Sequence, residues 1–265
     1  MVLATEFENY IYLVIPFDSI STPFIFAKAM NIVFAELIEF VSVYFNDVTV
    51  YSTDPDDHLK HLERTFQLIR KYKFTLRLDK CEFLKEKVEL LGHKVSSKGI
   101  SPSDKLINKV SVCEPPKSKA DIKAFIHLCG FYHSHIQGFA EIASPLTEML
   151  KKDVPFEMNK CQEQAWELLK EQTLKVTELA FYKPKLINKV YTDASDIGIG
   201  GVFTQVNEND EERPVRFLSR KLTEIEQYYN TVSKELLAIS YVLQKLRKYL
   251  LEQKFTLNTD LSVVH

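Results

Sequence analysis

The residues of this chain best suited to chemistry are carboxylates placed among apolar elements. Asp193 lies in "YTDASD", Glu235 in "VSKELLA" and Asp260 in "FTLNTD", and their surroundings read as strand, helix and strand in turn. Acids converging from three such elements would repel one another unless divalent cations neutralised them, and hard oxygen ligands suit Mg²⁺ or Mn²⁺. Two such ions about 3.5–4 Å apart activate a water and stabilise the leaving oxygen of a phosphodiester. Spacing alone also allows Glu235 to be an ordinary residue on a helix surface. A second candidate is the pair Asn46-Asp47, which interrupts the apolar stretch "VSVYFNDVTVYS" from Val41 to Ser52. Asn and Asp favour tight turns, so the pair is either a hairpin turn or what remains of a metal site.

The elements that must position these residues follow from periodicity. "YIYLVIPF", stopping at Pro16, is β-branched and aromatic and reads as a buried strand. Apolar residues then recur at helical spacing from Phe24 to Glu39 behind Ser21-Thr22-Pro23, a cap and first-turn signal. The hairpin around Asn46-Asp47 comes next. A helix follows, opening at Asp54-Pro55 with Leu59, Leu62, Phe66 and Ile69 on one face. "KVELLGHKVSSKGISP" reads as a further hairpin, with Gly92 near its bend and Gly99 in its exit loop. From Ser103 to Lys152 the pattern is helical, interrupted where Pro115-Pro116 end one helix and Ser118 caps the next. Another helix carries the single tryptophan, Trp166, and a boundary falls near Pro184. Beyond it come the strand of Asp193, a glycine-rich continuation, "RPVRFLSRKL", a long helix over residues 223–249, and the strand ending at Asp260. Strands followed by a long helix and another strand indicate a mixed α/β domain.

Composition excludes several classes. The chain of 265 residues is 45% hydrophobic and 26% charged, which is globular and long enough for about two domains. Its net charge of −2 provides no bulk field for nucleic acid, so any such binding must be local. Cys81, Cys113, Cys129 and Cys161 form no CxxC pair, which argues for free thiols in a reducing compartment rather than a zinc site or disulfide framework. No apolar run reaches membrane-spanning length, and the N-terminus lacks a signal peptide's basic region. These features predict an intracellular protein, cytoplasmic or nuclear, with no membrane association and an oligomeric state left open.

Several ordered motifs then resemble one family. "YFNDVTVYS" resembles the Y-x-D-D hairpin of reverse transcriptases, and "IPFDSISTPFIFAKAM" at 15–30 resembles the segment MPFGLxxAPxxFQxxM of gypsy-type LTR retrotransposon polymerases. The stretch from His58 to Leu106 follows the family almost element by element. "PPKSKADIKAFIHLCGFYHSHIQGFAEIASPLTEMLKK" resembles the thumb helices, while "YTDASDIGIGGVFTQ", "SKELLAI" and "FTLNTD" resemble the start of the attached ribonuclease H domain. The resemblance spans nearly the whole chain. It implies an α+β and α/β multidomain fold: a partial reverse-transcriptase palm over 1–100, a helical thumb and connecting segment over 101–186, and an incomplete ribonuclease H-like α/β domain over 187–265. It also implies that Leu91, Gly92 and His93, within "LLGH", belong to the primer grip. Lys117, Lys119 and Lys123 become phosphate contacts, with an ordinary solvated face as the alternative. Asp193, Glu235 and Asp260 fall on three of four metal-binding carboxylates of the ribonuclease H. The implied partners are an RNA–DNA hybrid or a primer–template duplex, and the implied cofactor is Mg²⁺ or Mn²⁺.

The departures from the family are equally specific. Asn46, a neutral amide, stands where the family has the first aspartate of the hairpin pair, so Asp47 is left as the remaining carboxylate there. The family's other polymerase aspartate belongs to a strand upstream of the present start, and a fourth ribonuclease H carboxylate is expected beyond the present end, where His265 is no substitute. Asp18 replaces a family glycine, and Ala27 replaces a glutamine that in the family lies beside template and nucleotide. The expectation is a retroelement-derived fragment with polymerase chemistry lost. With three of four carboxylates kept, weak or no nuclease activity is expected of this chain alone, and any catalysis that survives is hybrid-directed phosphodiester hydrolysis at Asp193, Glu235 and Asp260. The alternative is a non-catalytic decayed or host-adopted module that binds nucleic acid or protein.

Overall fold

The structure is a computed structural model and describes residues 2–4, 6–11 and 22–260. The chain divides into two compact units, Met1–Lys85 and Glu86–His265. The hairpin segment before residue 100 therefore packs with the helices and sheet that follow it.

In the first unit, β1 (Val2–Ala4) and β2 (Asn9–Ile11) pair antiparallel as a ladder of their own. The buried strand expected at "YIYLVIPF" is described only as far as Ile11. There it is exposed, with Tyr10 at 55% and Ile11 at 69%, because among the described residues this two-stranded ladder joins no other sheet. Pro16 and Asp18 lie outside the described residues. Helix α1 (Thr22–Val33) stops sooner than Glu39 and passes through a 3₁₀ turn, Ala35–Leu37, into β3 (Val41–Tyr44). Strand β4 (Asp47–Val50) pairs antiparallel with β3, and α2 (Pro55–Lys71) follows. The Asp54 carboxylate caps α2 by accepting from the Asp56 and Asp57 amides at 2.9 and 3.2 Å.

The buried stripe of α2 overlaps the expected one only in part. Leu59 is 58% and Phe66 39% exposed, whereas Ile69, as expected, is buried, together with Thr65 and Leu68; Leu68 and Ile69 meet Met30, Phe34, Leu37, Phe40 and Val41. The helix carries two apolar stripes, and sequence periodicity does not say which of them faces α1 and the hairpin.

The second unit opens with β5 (Lys87–Leu90), β6 (His93–Ser96) and β7 (Ile100–Pro102), a three-stranded antiparallel sheet with one more strand than the expected hairpin. Strand β7 forms by pairing with β6, Val95 opposite Ile100 and His93 opposite Pro102, and Ile100 also exchanges reciprocal backbone hydrogen bonds of 2.8 and 2.9 Å with Leu179, a bridge too distant in sequence for local signals to reveal. Helices α3 (Asp104–Ser111), α4 (Lys119–Gly130), α5 (Phe139–Ile142), α6 (Ser144–Met149) and α7 (Lys160–Leu174) come next. Ser103, Ser118 and Asn159 cap α3, α4 and α7 through their side chains. Leu106, Val110, Ile122, Phe125, Leu146 and Trp166 form the core of this helical part.

Beyond it lie β8 (Ile187–Ala194), β9 (Gly198–Val206) and β10 (Glu212–Lys221), then α8 (Glu224–Gln227), α9 (Thr231–Leu250) and β11 (Phe255–Thr259). The expected single helix over 223–249 is thus two, each separately capped, by Thr223 and by Asn230. The sheet order is β10-β9-β8-β11, antiparallel except for the parallel pair β8–β11. Helix α9 lies on this sheet through Val242, Leu246 and Leu250, which meet Val190 and Phe203. Gly201 allows that close approach, since a Cβ there would stand 2.8 Å from a Val242 methyl and 2.4 Å from the Tyr191 carbonyl oxygen.

Candidate functional site

The parallel pairing of β8 with β11 places two of the expected acids side by side. Thr192 is in register with Thr259, and Asp193 and Asp260 each follow by one residue, at the matching position on neighbouring strands about 4.8 Å apart. The third acid comes from α9. Ala238, fully buried, packs with Ile199 and Ala194 at the end of β8, and Glu235 sits about one helical turn before it. Glu235 is only 6% exposed, and its Oε2 is buried without a hydrogen-bond partner. Its carboxyl is held above the usual range, first by burial, then by the charges of Asp193 and Asp260, with a backbone hydrogen bond at Ala194 opposing. The three acids are therefore gathered at one end of the sheet. Among the described residues they do not close into a ready-made cage, and no group of His, Cys, Asp or Glu does. A buried, unpartnered carboxylate oxygen facing two further carboxylates is nonetheless a donor set fitted to a hard divalent cation.

The polymerase-like hairpin is arranged differently from the reading of Asn46-Asp47 as its turn. Tyr44 pairs with Asp47, so the two turn residues are Phe45 and Asn46, and Asp47 opens β4. Phe45 takes the left-handed conformation, φ 51°, which costs a bulky L-residue about 1–2 kcal/mol. Asn, which tolerates that conformation, sits at the other turn position. This is not how residues chosen for turn shape are arranged. Asn46 and Asp47 are both exposed.

Leu91 and Gly92, both at positive φ (51° and 79°), form the turn between β5 and β6. The Tyr132 hydroxyl and the Ser103 amide both donate to the Gly92 carbonyl. His93 stacks against Phe131 and His135, with ring centroids 5.4 and 5.6 Å away, and meets Tyr132 edge-on. Burial lowers the His93 pKa and, with the charges of His93 and His133, brings His135 down to about 4. Leu91 and Phe131 remain exposed at the tip, at 46% and 58%. Leu91, Gly92 and His93 are thus one turn clamped from beneath by "FYHSH". Sequence reasoning did not single out that segment, although its density of rings was a usable signal.

The lysines separate into two kinds. Lys117 and Lys123 are exposed, Lys117 in a loose surface pair with Glu114 at 3.3 Å. Lys119 donates to the Lys151 carbonyl at 2.7 Å, which ties α4 to the end of α6. A cleft of about 630 Å³, lined by Asp193, Tyr191, Arg220, Gln137 and Gln164 among others, opens between the helical part and the sheet beside Asp193. Nothing local in the sequence marks it, because its walls come from segments far apart in the chain.

Comparisons with known proteins agree with this architecture. Residues 3–95 match the family model of reverse transcriptase (RNA-dependent DNA polymerase), and residues 158–257 match that of the RNase H-like domain found in reverse transcriptase. The retrovirus-related Pol polyprotein from transposon 297 of Drosophila melanogaster is 32% identical over 261 residues, 97% of this chain and 24% of that protein. The Pol polyprotein from transposon opus of the same species is 32% identical over 254 residues, 91% and 25% of the two chains. Transposon Tf2-3 polyprotein of Schizosaccharomyces pombe is 29% identical over 240 residues, 90% and 18%. The chain thus spans about a quarter or less of these relatives. The foamy viral protease-reverse transcriptase, solved with dsDNA, has the same fold with a TM-score of 0.85 at 17% identity, covering 98% of this chain and 54% of that one. Solved with an RNA/DNA hybrid, it gives 0.80 at 18% identity over 97% and 35%. By these matches the chain belongs to the reverse transcriptase and ribonuclease H family of retrotransposon Pol polyproteins, with which its gypsy-type motifs are consistent.

Proposed function

We propose that this chain is a hybrid-directed nuclease whose polymerase site is disabled, with residues 1–100 as partial palm and grip, 101–186 as thumb and connecting segment, and 187–265 as the ribonuclease H-like part. The observation that carries it is the buried Glu235 carboxylate, one oxygen unpartnered and its pKa raised first by burial and then by the charges of Asp193 and Asp260. Asp193, Glu235 and Asp260 would hold Mg²⁺ or Mn²⁺, which supplies an activated water and a counter-charge for the leaving oxygen of a phosphodiester. Glu235 contributes a ligand that burial keeps from drifting. Asp193 and Asp260, exposed at the strand ends, meet the backbone of the RNA strand. The substrate class rests on the family, and the foamy viral enzyme's complexes with dsDNA and an RNA/DNA hybrid support a duplex partner. Leu91 and Phe131 offer apolar contact at the grip, while Lys117 and Lys123 face solvent and would contact phosphates. Polymerisation is excluded in this reading because Asn46 offers a neutral amide where two cations need a carboxylate.

Titrating Mg²⁺ or Mn²⁺ into the full chain with a labelled RNA–DNA hybrid tests this. Metal-dependent cleavage of the RNA strand, lost in Asp193→Asn, is the expected result. The hybrid bound but left whole would replace the nuclease by a duplex-binding module, the second reading, which Asn46 and Ala27 favour. Neither binding nor cleavage would overturn both.

A further inference from the structure

Ser52 follows β4, and its hydroxyl sits between two imidazoles from the first turns of α2. Its Oγ lies 2.7 Å from His61 Nδ1 and 3.1 Å from His58 Nδ1. His58 and His61 are three residues apart and share a helix face, and all three side chains are half-buried. The His61 ring is held flat against Phe40, centroids 3.8 Å apart and planes within 8°, which fixes the direction of its Nδ1. One hydroxyl serves two such nitrogens by accepting from both Nδ1–H groups, or by accepting from one and donating to the other. With both rings protonated at Nε2 instead, two lone pairs converge on the same point. That is a chelate, and neutral imidazole nitrogen is a preferred ligand of Zn²⁺, Cu²⁺ and Ni²⁺.

The charges around this point favour a cation. A helix N-terminus alone would oppose one, but Asp54, Asp56 and Asp57 occupy the cap and first turn, and Asp57 acts electrostatically on His61. Of the basic groups nearby, Lys60 pairs with Asp57 at 2.8 Å and Arg64 lies over the Phe40 ring at 5.3 Å, against three carboxylates at the cap and first turn.

We propose that His58 Nδ1, His61 Nδ1 and Ser52 Oγ form a site for a borderline transition-metal ion of the Zn²⁺ class, distinct in chemistry from the hard-cation carboxylates of the other unit. Two nitrogens and a hydroxyl oxygen leave one tetrahedral position to water, so the site is open rather than closed. Bound metal would take both nitrogens at about 2.0–2.1 Å, with the hydroxyl oxygen beside them as the third ligand. Bound metal would fasten the end of β4, five residues beyond Asp47, to α2 and so stabilise the first unit.

The test strips the full chain with chelator and titrates it with Co²⁺ as spectroscopic probe, then Zn²⁺ as competitor, with Mg²⁺ as hard-ion control. One equivalent of Co²⁺ should bind with visible d–d absorption. Zn²⁺ should displace it and raise the melting temperature, and excess Mg²⁺ should leave it in place. His58→Gln and His61→Phe should abolish the signal, the phenylalanine preserving the stack on Phe40, whereas Asp193→Asn should retain it. In excess Mg²⁺, visible Co²⁺ absorption that survives both histidine changes, or that Asp193→Asn removes, overturns the assignment. So does an absence of binding by a wild-type chain whose circular dichroism shows it folded.

Discussion

Glu235 is the residue at which folding and chemistry conflict most openly. A carboxylate is buried on α9 with one oxygen unpartnered and two other acids acting against its charge. Without metal this costs stability, because the unfolded chain hydrates the same group freely. Glu235→Gln should therefore raise the stability of the metal-free chain by about 1 kcal/mol, as removing a buried like-charge partner does. Mg²⁺ should stabilise the parent chain in proportion to its occupancy and leave the glutamine variant unchanged. Melting curves in EDTA and in millimolar Mg²⁺ read both effects, and a variant less stable in EDTA would mean that the hydrogen bond at Ala194 outweighs the burial and repulsion of the charge. Asn46 shows the reverse relation. Its type was legible as a departure from the family, yet only the structure shows that the strained backbone falls on Phe45 beside it.

The elements were legible wherever local chemistry fixes them. Asp54, Ser118 and Asn159 cap the helices that their spacing announced, and the prolines at 115 and 116 separate α3 from α4. Legibility failed where a distant partner decides. The bridge from Ile100 to Leu179 joins segments far apart in the chain, and which part of the apolar surface of α2 is buried is set by α1 and β3. The ring cluster beneath the β5–β6 turn is a third such case, and it makes the second unit sensitive to acid. His135 holds its proton only below about pH 4, because burial and the neighbouring His93 and His133 disfavour the imidazolium. Unfolded, the same ring takes up a proton below its ordinary value of 6.5. Between these values the unfolded state binds more protons, so stability is flat above pH 6.5 and falls as pH drops toward 4. The loss from this residue should be on the order of 2 kcal/mol between pH 7 and 4.5. Denaturant titrations at the two pH values should show it in the parent chain and show it reduced in His135→Leu; an unchanged pH slope would place the acid sensitivity elsewhere.

At the scale of the whole molecule, net charge sets the terms on which a duplex is held. A chain at −2 has no general attraction for phosphate, so binding must come from local cations, each releasing counterions in proportion to the phosphates it neutralises. The sequence offered Lys117, Lys119 and Lys123 as equals. The structure makes them unequal, since Lys119 is committed to the Lys151 carbonyl while Lys117 and Lys123 face solvent. Alanine at Lys117 or Lys123 should weaken hybrid binding about equally across sequences and reduce the salt slope, log K against log salt, by up to about 0.9 each. Lys119→Ala should leave that slope intact and lower the melting temperature instead, because what it removes is a link between α4 and the end of α6. Fluorescence anisotropy across a salt series, with melting curves on the same variants, separates the two roles. If all three changes reduced the slope alike, Lys119 would have to leave the Lys151 carbonyl on binding, and α4 would then adjust to the duplex rather than meet it preformed.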